Sequence, residues 1–518
     1  MALEKDDDMS TGLNETPRKI IPRWRDSEIA ATTGELEPLA HQLKPRIPSH
    51  NELAPRKHDW RANRSVAFAT DLISAGLVTG DKHDSDVEEA VEFLLEQDLA
   101  TESSARRLAE FLAEGETGGC IDIAGPAGDE GFKESSRHQI QIFKRRVRNN
   151  PRNAIAWVDM ARHYAVLGAD KKALRSITNG LALAPDNRFV LRSAARFYVH
   201  NNDPEKAYDV LRRSAGTRMD PWLRAAEIAV GGMVGKTPPR LGRTKKSLRY
   251  GASDPGHISE LASAVATFEL DHGANKSARR LFDLGLVQPT ENAVAQADWA
   301  QTQLPGISLD EHHFALPRTY EANATEHFER LDFERCIKEC ELWLSDEPFS
   351  SRPLELKTFL SLVVFEDFDE AISSATRGLV SNPDNFLLWN NMAIALAESG
   401  NVEGAKTQFE TIRETDLGFW DRTCWLGTNG LLAFRSNNEQ RGREYYQQAA
   451  GNAELQSENQ LAALALFYWA GEEMLANENE TADQIAERAD DLAGETPRTA
   501  IKLAKRRFLN LKHRSTTR

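Results

Sequence analysis

NAIAWVDMARHYAVLGADKKALRSITNGLALAP, residues 153–185, sets the reading of the whole chain. Trp157, Met160, Ala161 and Tyr164 fall at i, i+3, i+4 and i+7, which places them on one face of a helix. Gly168 then permits a tight turn, because a residue without Cβ reaches backbone angles closed to others. Ala173, Ile177 and Gly180 resume the helical spacing, and Pro185, lacking an amide hydrogen, ends the second run. Small residues at Ala161, Ala173 and Gly180 let two helices approach closely, while Trp157, Tyr164 and Ile177 fill the space to neighbouring helices. One such hairpin cannot bury its own apolar face, so others must stack on it.

Pro151 and Pro185 stand 34 residues apart, and the pattern between them resembles the tetratricopeptide repeat, a helix–turn–helix unit of that length. A second unit from Phe386 matches nearly as well, through Trp389, Met392, Ala393, Leu396, Gly400, Ala405 and Phe409. Units from Arg188, Ser259, Pro317, Arg352 and Arg422 match in part, so the resemblance covers residues 137–512. It implies an all-α fold, a helical-repeat solenoid wound as a right-handed superhelix. The stretch LPGISLDEHHFALP marks a break near 310 that divides two arrays, 134–310 and 311–454. The first is interrupted by GKTPPRLGRTKKSLRYGASDPG, residues 235–256, whose prolines and glycines read as a largely irregular basic loop. Residues 455–518 read as C-terminal helices that cap the stack and end in a basic tail.

Before the repeats, residues 1–57 are polar and contain several prolines, and they read as a disordered acidic extension. Trp24 is an isolated aromatic there. It reads equally as the anchor of a short binding motif and as a contact on the protein's own surface. Residues 58–114 read as a small helical segment, with Val66, Ala69 and Ile73, then Val87, Val91 and Leu94, at helical spacing. Glycines over 115–133 mark a linker. The net charge of −15 is concentrated early, since residues 1–130 hold 27 acids against 14 bases. No apolar run reaches the roughly 18–20 residues needed to span a bilayer, and the first residues lack a signal-peptide pattern, so the protein is expected in the cytoplasm.

Catalytic signatures are missing. GGMVGKT, residues 231–237, has three residues between its glycines where a phosphate loop needs four, and it follows a helical rather than a strand pattern. His312 and His313 are adjacent, and therefore diverge. Cys120, Cys336, Cys340 and Cys424 form no CxxC pair and read as buried apolar groups. The expectation is a non-catalytic protein with no metal and no cofactor.

Within the resemblance, the first helix of each unit lines the concave face. Carried over position by position, that face receives Arg162 from one unit, Arg192, Arg196 and His200 from the next, and Asn390 and Asn391 from the unit at Phe386. Guanidinium groups bind carboxylates in bidentate fashion, so the implied partner is an acidic peptide or protein segment, held by a scaffold, adaptor or docking subunit. The acidic residues of 1–57 would fold back over this basic groove and compete with the partner. The alternative is RNA or other nucleic-acid binding through basic clusters at 137–152 (Arg145, Arg146), 236–250 (Lys236, Arg243, Lys245, Lys246) and 498–518.

Overall fold

The computed structural model describes residues 21–32, 53–79, 81, 83–97, 104–114, 129–249 and 255–516. Among them the regular structure is entirely helical. Antiparallel helix pairs stack in chain order, beginning with Ala154–Val166 against Asp170–Leu183 and Arg188–His200 against Pro204–Arg213. The stack runs through Phe386–Glu398 to Asn479–Ala493. The fold is thus a helical-repeat solenoid.

Local chemistry starts these helices. The Asn153, Asn187 and Asn385 side chains each accept an amide hydrogen bond three residues on, which satisfies donors that the first turn leaves unpaired. Trp157 and Trp389 occupy equivalent positions and make equivalent bonds: their indole N–H groups donate to the carbonyls of Pro151 and Pro383, at 3.0 and 2.7 Å. Ala161, Ala173, Ala393 and Ala405 are fully enclosed, and Tyr164 is buried beside them. Pro185 is exposed at the end of its unit.

The array comes back on itself. Ser381 Oγ donates to the carbonyl of Val166 at 2.8 Å, and the Arg377 guanidinium lies 4.8 Å over the Phe132 ring. Gly168 sits at this closure with φ +63°, and a Cβ there would lie 2.2 Å from the carbonyl oxygen of Val380. Gly400, at φ +92°, has open space around it. Gly168→Ala is therefore expected to lower stability by more than Gly400→Ala, which meets only the backbone cost of about 1–2 kcal/mol. Parallel thermal melts of the two variants check the order.

Four expectations change here. Residues 241–249 within the basic stretch form a helix, Leu241–Arg249, because Leu241, Thr244 and Leu248 find a buried face against the preceding and following helices; residues 250–254 lie outside the described set. The interruption near 310 is present as a non-helical stretch over 302–310, but it stays packed: Leu304 and Ile307 are buried, and Ala322 beyond them joins the same core as Trp299. The small helical unit starts earlier than 58, with Leu53–Ala62, and packs Trp60 against Leu72, Val87 and Leu94 in a core of its own. Helix Asp129–Asn149 starts within the glycine-rich linker, whose residues 115–128 lie outside the described set.

The last helix, Thr499–Thr516, does more than cover the end. Ile501, Ala504 and Phe508 join the core of the final hairpins, while Leu503 packs with Phe328 and Leu360 from much earlier units. Thr499 Oγ1 donates to Glu329 at 2.8 Å, and Arg507 pairs with Glu398 at 2.5 Å. Helix Thr499–Thr516 thus lies against helices of several earlier hairpins.

Candidate peptide-binding groove

Inside the earlier hairpins lies a second piece of the same chain. Residues 21–26 run without regular structure and lead into a short helix, Ser27–Thr32. Side chains alternate along an extended segment, so Arg23 and Arg25 project to one side and Trp24 to the other. Trp24 is fully enclosed, with ring centroids 5.8 Å from Phe197 and 5.2 Å from Phe349. Arg23 pairs with Glu321, and with Glu347 at 2.9 Å. Arg25 Nε reaches the two oxygens of Asp346 at 2.9 and 2.8 Å, and its Nη2 reaches Glu291 at 2.8 Å. The groove also holds the backbone: Asn292 donates to the carbonyl of Ile21 at 3.1 Å, Arg162 Nε to that of Trp24 at 3.1 Å, and the amide of Trp24 donates to Glu347 at 3.2 Å.

These acids stand where a helix least favours them. Asp346 ends helix Phe333–Asp346 and Glu347 follows it, so both meet the negative end of the helix dipole. Cations offset that cost: Arg23, Arg25, Arg196 and Arg318 all reach one or other carboxylate. Burial alone would push the Glu347 carboxyl up, but Arg196, Arg23 and the Trp24 amide hold it down at about 2. Glu321 is shared between Arg23 and Arg352, whose guanidinium groups both lie near the Trp343 ring, at 5.7 and 5.5 Å.

At the other end of the segment, Asp159 accepts from the amide of Ser27 at 3.0 Å and from its hydroxyl at 2.6 Å. Burial pushes the Asp159 carboxyl up to about 7; the Ser27 bonds oppose this, while Asp26 and Glu28 add like charge. A carboxyl raised on docking holds a proton that the undocked form releases, so docking weakens as pH rises from about 4 to 7 and levels off above. Asp159→Asn keeps an oxygen for the Ser27 amide and removes the titration. Its docked segment is expected to be better protected than the natural one at pH 8 and no better protected at pH 4, as read by hydrogen exchange over residues 21–30.

The residues drawn from the sequence divide between groove and framework. Arg162 and Arg196 line the groove, but each is engaged: Arg162 Nη2 donates to the carbonyl of Asp346 at 2.8 Å, and Arg196 pairs with Glu347 at 3.4 Å. Arg192 is buried in a two-bond pair with Glu260, at 2.7 and 3.1 Å, and lies 4.8 Å over Trp222. His200 packs edge-on against Phe349, and burial, with Arg196 adding to it, brings its pKa down to about 3. Asn390 and Asn391 bind neighbouring first helices through Thr428 at 2.7 Å and Thr358 at 3.2 Å. The groove is therefore lined by acids as much as by arginines, and the segment seated in it is cationic. Residues 1–57 as a whole hold 10 acids and 9 bases, so the early acidity belongs mostly to residues 58–130.

Sequence reasoning missed Asp159, Glu291, Glu321, Asp346 and Glu347. The one local signal was the Ser-Asp-Glu-Pro run at 345–348, acids at a helix end with no base beside them.

The basic clusters lie elsewhere. Arg145 and Arg146 sit on helix Asp129–Asn149, with Arg146 5.1 Å over the ring of Phe143. Lys236 pairs with Glu205 and Lys245 with Glu269, whereas Arg243 and Lys246 are exposed on helix Leu241–Arg249. In the C-terminal cluster, Lys505 and Lys512 pair with Asp490 and Asp483. Cys336 and Cys340 are buried, and Cys336 donates to the carbonyl of Ala324. Among the described residues no three His, Cys, Asp or Glu side chains group as a metal site, and no helix is long and apolar enough to cross a membrane.

No family model matches the chain, and no curated protein does. Among solved structures, yeast Tom70 aligns at 14% identity and a TM-score of 0.32, covering 75% of this chain and 96% of that one. A structure of Naa15/Naa10 bound to HypK-THB aligns at 11% identity and a TM-score of 0.21, covering 94% and 80%.

Proposed function

We propose that this chain is a non-catalytic scaffold or docking subunit of the tetratricopeptide kind, acting in the cytoplasm, which holds a segment of another protein inside its earlier hairpins. One observation carries the reading: that inner face already accommodates a length of polypeptide, gripping both its side chains and its backbone. Groups that bond to main-chain atoms of one peptide suit the main chain of another, and flanking carboxylates supply selectivity.

The test is affinity purification of the tagged full chain from its native lysate, with and without nuclease, beside the same chain carrying Asp346→Asn and Glu347→Gln. A stoichiometric protein partner should survive nuclease and be depleted by the two substitutions. Recovery of nucleic acid, with proteins lost on nuclease treatment, would overturn this reading in favour of the exposed cations at Arg145, Arg243 and Lys246.

A further inference from the structure

Resting on that scaffold reading, we infer that the seated segment is an exchangeable placeholder, and that the partner segment which replaces it carries an Arg–aromatic–Arg triplet followed two residues later by a serine or threonine that opens a helix. The expected acidic ligand is thereby replaced by a basic, aromatic one.

Charge complementarity fixes the triplet. Positions 23 and 25 face Glu321, Glu347, Asp346 and Glu291, and a planar guanidinium fits these carboxylates with two bonds at a time. The position between them enters a slot walled by Phe197 and Phe349, with room for a large aromatic ring. The serine position is set by Asp159, which takes both the amide and the hydroxyl of the first helical residue.

Exchange follows from how the segment is held. Between it and the first stacked helix, Asp129–Asn149, lie 96 residues that include the small helical unit with its separate core. The segment is therefore a tethered ligand and no rung of the stack. Ion pairs at Arg23 and Arg25 and the single ring of Trp24 hold it, and it does not fill its site. Beside Arg23 remains a cavity of about 280 Å³, lined by Arg196, Asn292, Gln296, Ser351 and Arg352 among others. A tethered segment has the advantage of high effective concentration, so a displacing partner must make contacts that the placeholder lacks. This polar cavity provides them.

A fluorescently labelled peptide of residues 21–32 (IPRWRDSEIAAT) is the probe, titrated against the full chain and against a full chain carrying Arg23→Ala, Trp24→Ala and Arg25→Ala. The substituted chain should bind at least about tenfold more tightly than the natural one, because its groove is vacant in a larger fraction of molecules. A peptide with Arg23→Glu and Arg25→Glu should not bind. A substituted chain that keeps its helical circular dichroism but does not take up the peptide overturns the inference. Should that chain fail to fold, hydrogen exchange on the natural chain decides. Amides of residues 21–30 should exchange at least about tenfold faster than those of helix Arg188–His200, and faster still as salt rises; equal protection overturns the inference. The two readings fail separately. Capture of a nuclease-resistant protein partner without peptide binding leaves the scaffold and removes the placeholder. Peptide binding without any captured partner does the reverse.

Discussion

Trp24→Ala should be among the most damaging single substitutions in the chain, costing docking of residues 21–30 about 3–5 kcal/mol. The indole is fully enclosed between Phe197 and Phe349, and its removal leaves a void walled by rings that belong to different turns of the array. A local opening sets a ceiling on how much of this reaches global stability. If the segment leaves while the hairpins stay stacked, the loss appears as rapid hydrogen exchange over residues 21–30 with a smaller fall in melting temperature. Trp24→Phe gives the control: it keeps an aromatic in the slot and removes an indole N–H that has no hydrogen-bond partner among the described residues. Its cost should stay under about 2 kcal/mol. Equal losses for the two substitutions would mean that ring volume, and no aromatic packing of lesser size, controls the site.

The repeat was legible because its signals are local. Trp157, Ala161, Tyr164, Gly168 and Ala173 fall within a few turns of one another, and each residue type answers a need of the hairpin itself. The same positions at Trp389, Ala393, Gly400 and Ala405 recur for the same reason. The groove was not legible, because its parts are far apart in the chain. Arg25 and Asp346 are separated by 321 positions, and no spacing rule connects them. Summed charge misled further. Three arginines carried onto the inner face suggested a basic groove, yet Glu260 and Glu347, which neutralise Arg192 and Arg196, come from other units. Pro238, Pro239 and Gly242 likewise outweighed the apolar positions of helix Leu241–Arg249 when read alone. Packing reversed that order by burying Leu241 and Leu248. The last helix shows the same limit: Leu503 is one of several leucines in a basic run, and only the folded chain brings it to Phe328 and Leu360.

Glu347→Gln is the second substitution with a large expected effect, and it separates charge from shape. The side chain is almost unchanged in size, but Arg23 and Arg196 lose the carboxylate they share, and the amide of Trp24 loses a charged acceptor. Breaking a buried ion pair from one side typically costs about 3–5 kcal/mol. Glu321 remains for Arg23, which places the expectation near the lower end. Acid supplies an independent route to the same state. The carboxyl lies at about 2 when the segment is docked; Arg196 stays beside it when the segment leaves, but Arg23 and the Trp24 amide do not, so their contribution is present at neutral pH and is lost as pH falls towards 2. Asp159 acts in the opposite direction at higher pH, since its carboxyl takes up a proton on docking and strengthens the docked state as pH falls from about 7 to 4. The natural chain should therefore keep residues 21–30 docked down to about pH 4 and release them below it. Glu347→Gln should weaken docking at neutral pH and lose much of that acid release. Hydrogen exchange over residues 21–30, followed from pH 7 down to pH 3 for both chains, reads the difference. An unchanged acid release in the variant would move the acid sensitivity from Glu347 to the other carboxylates around Arg23 and Arg25.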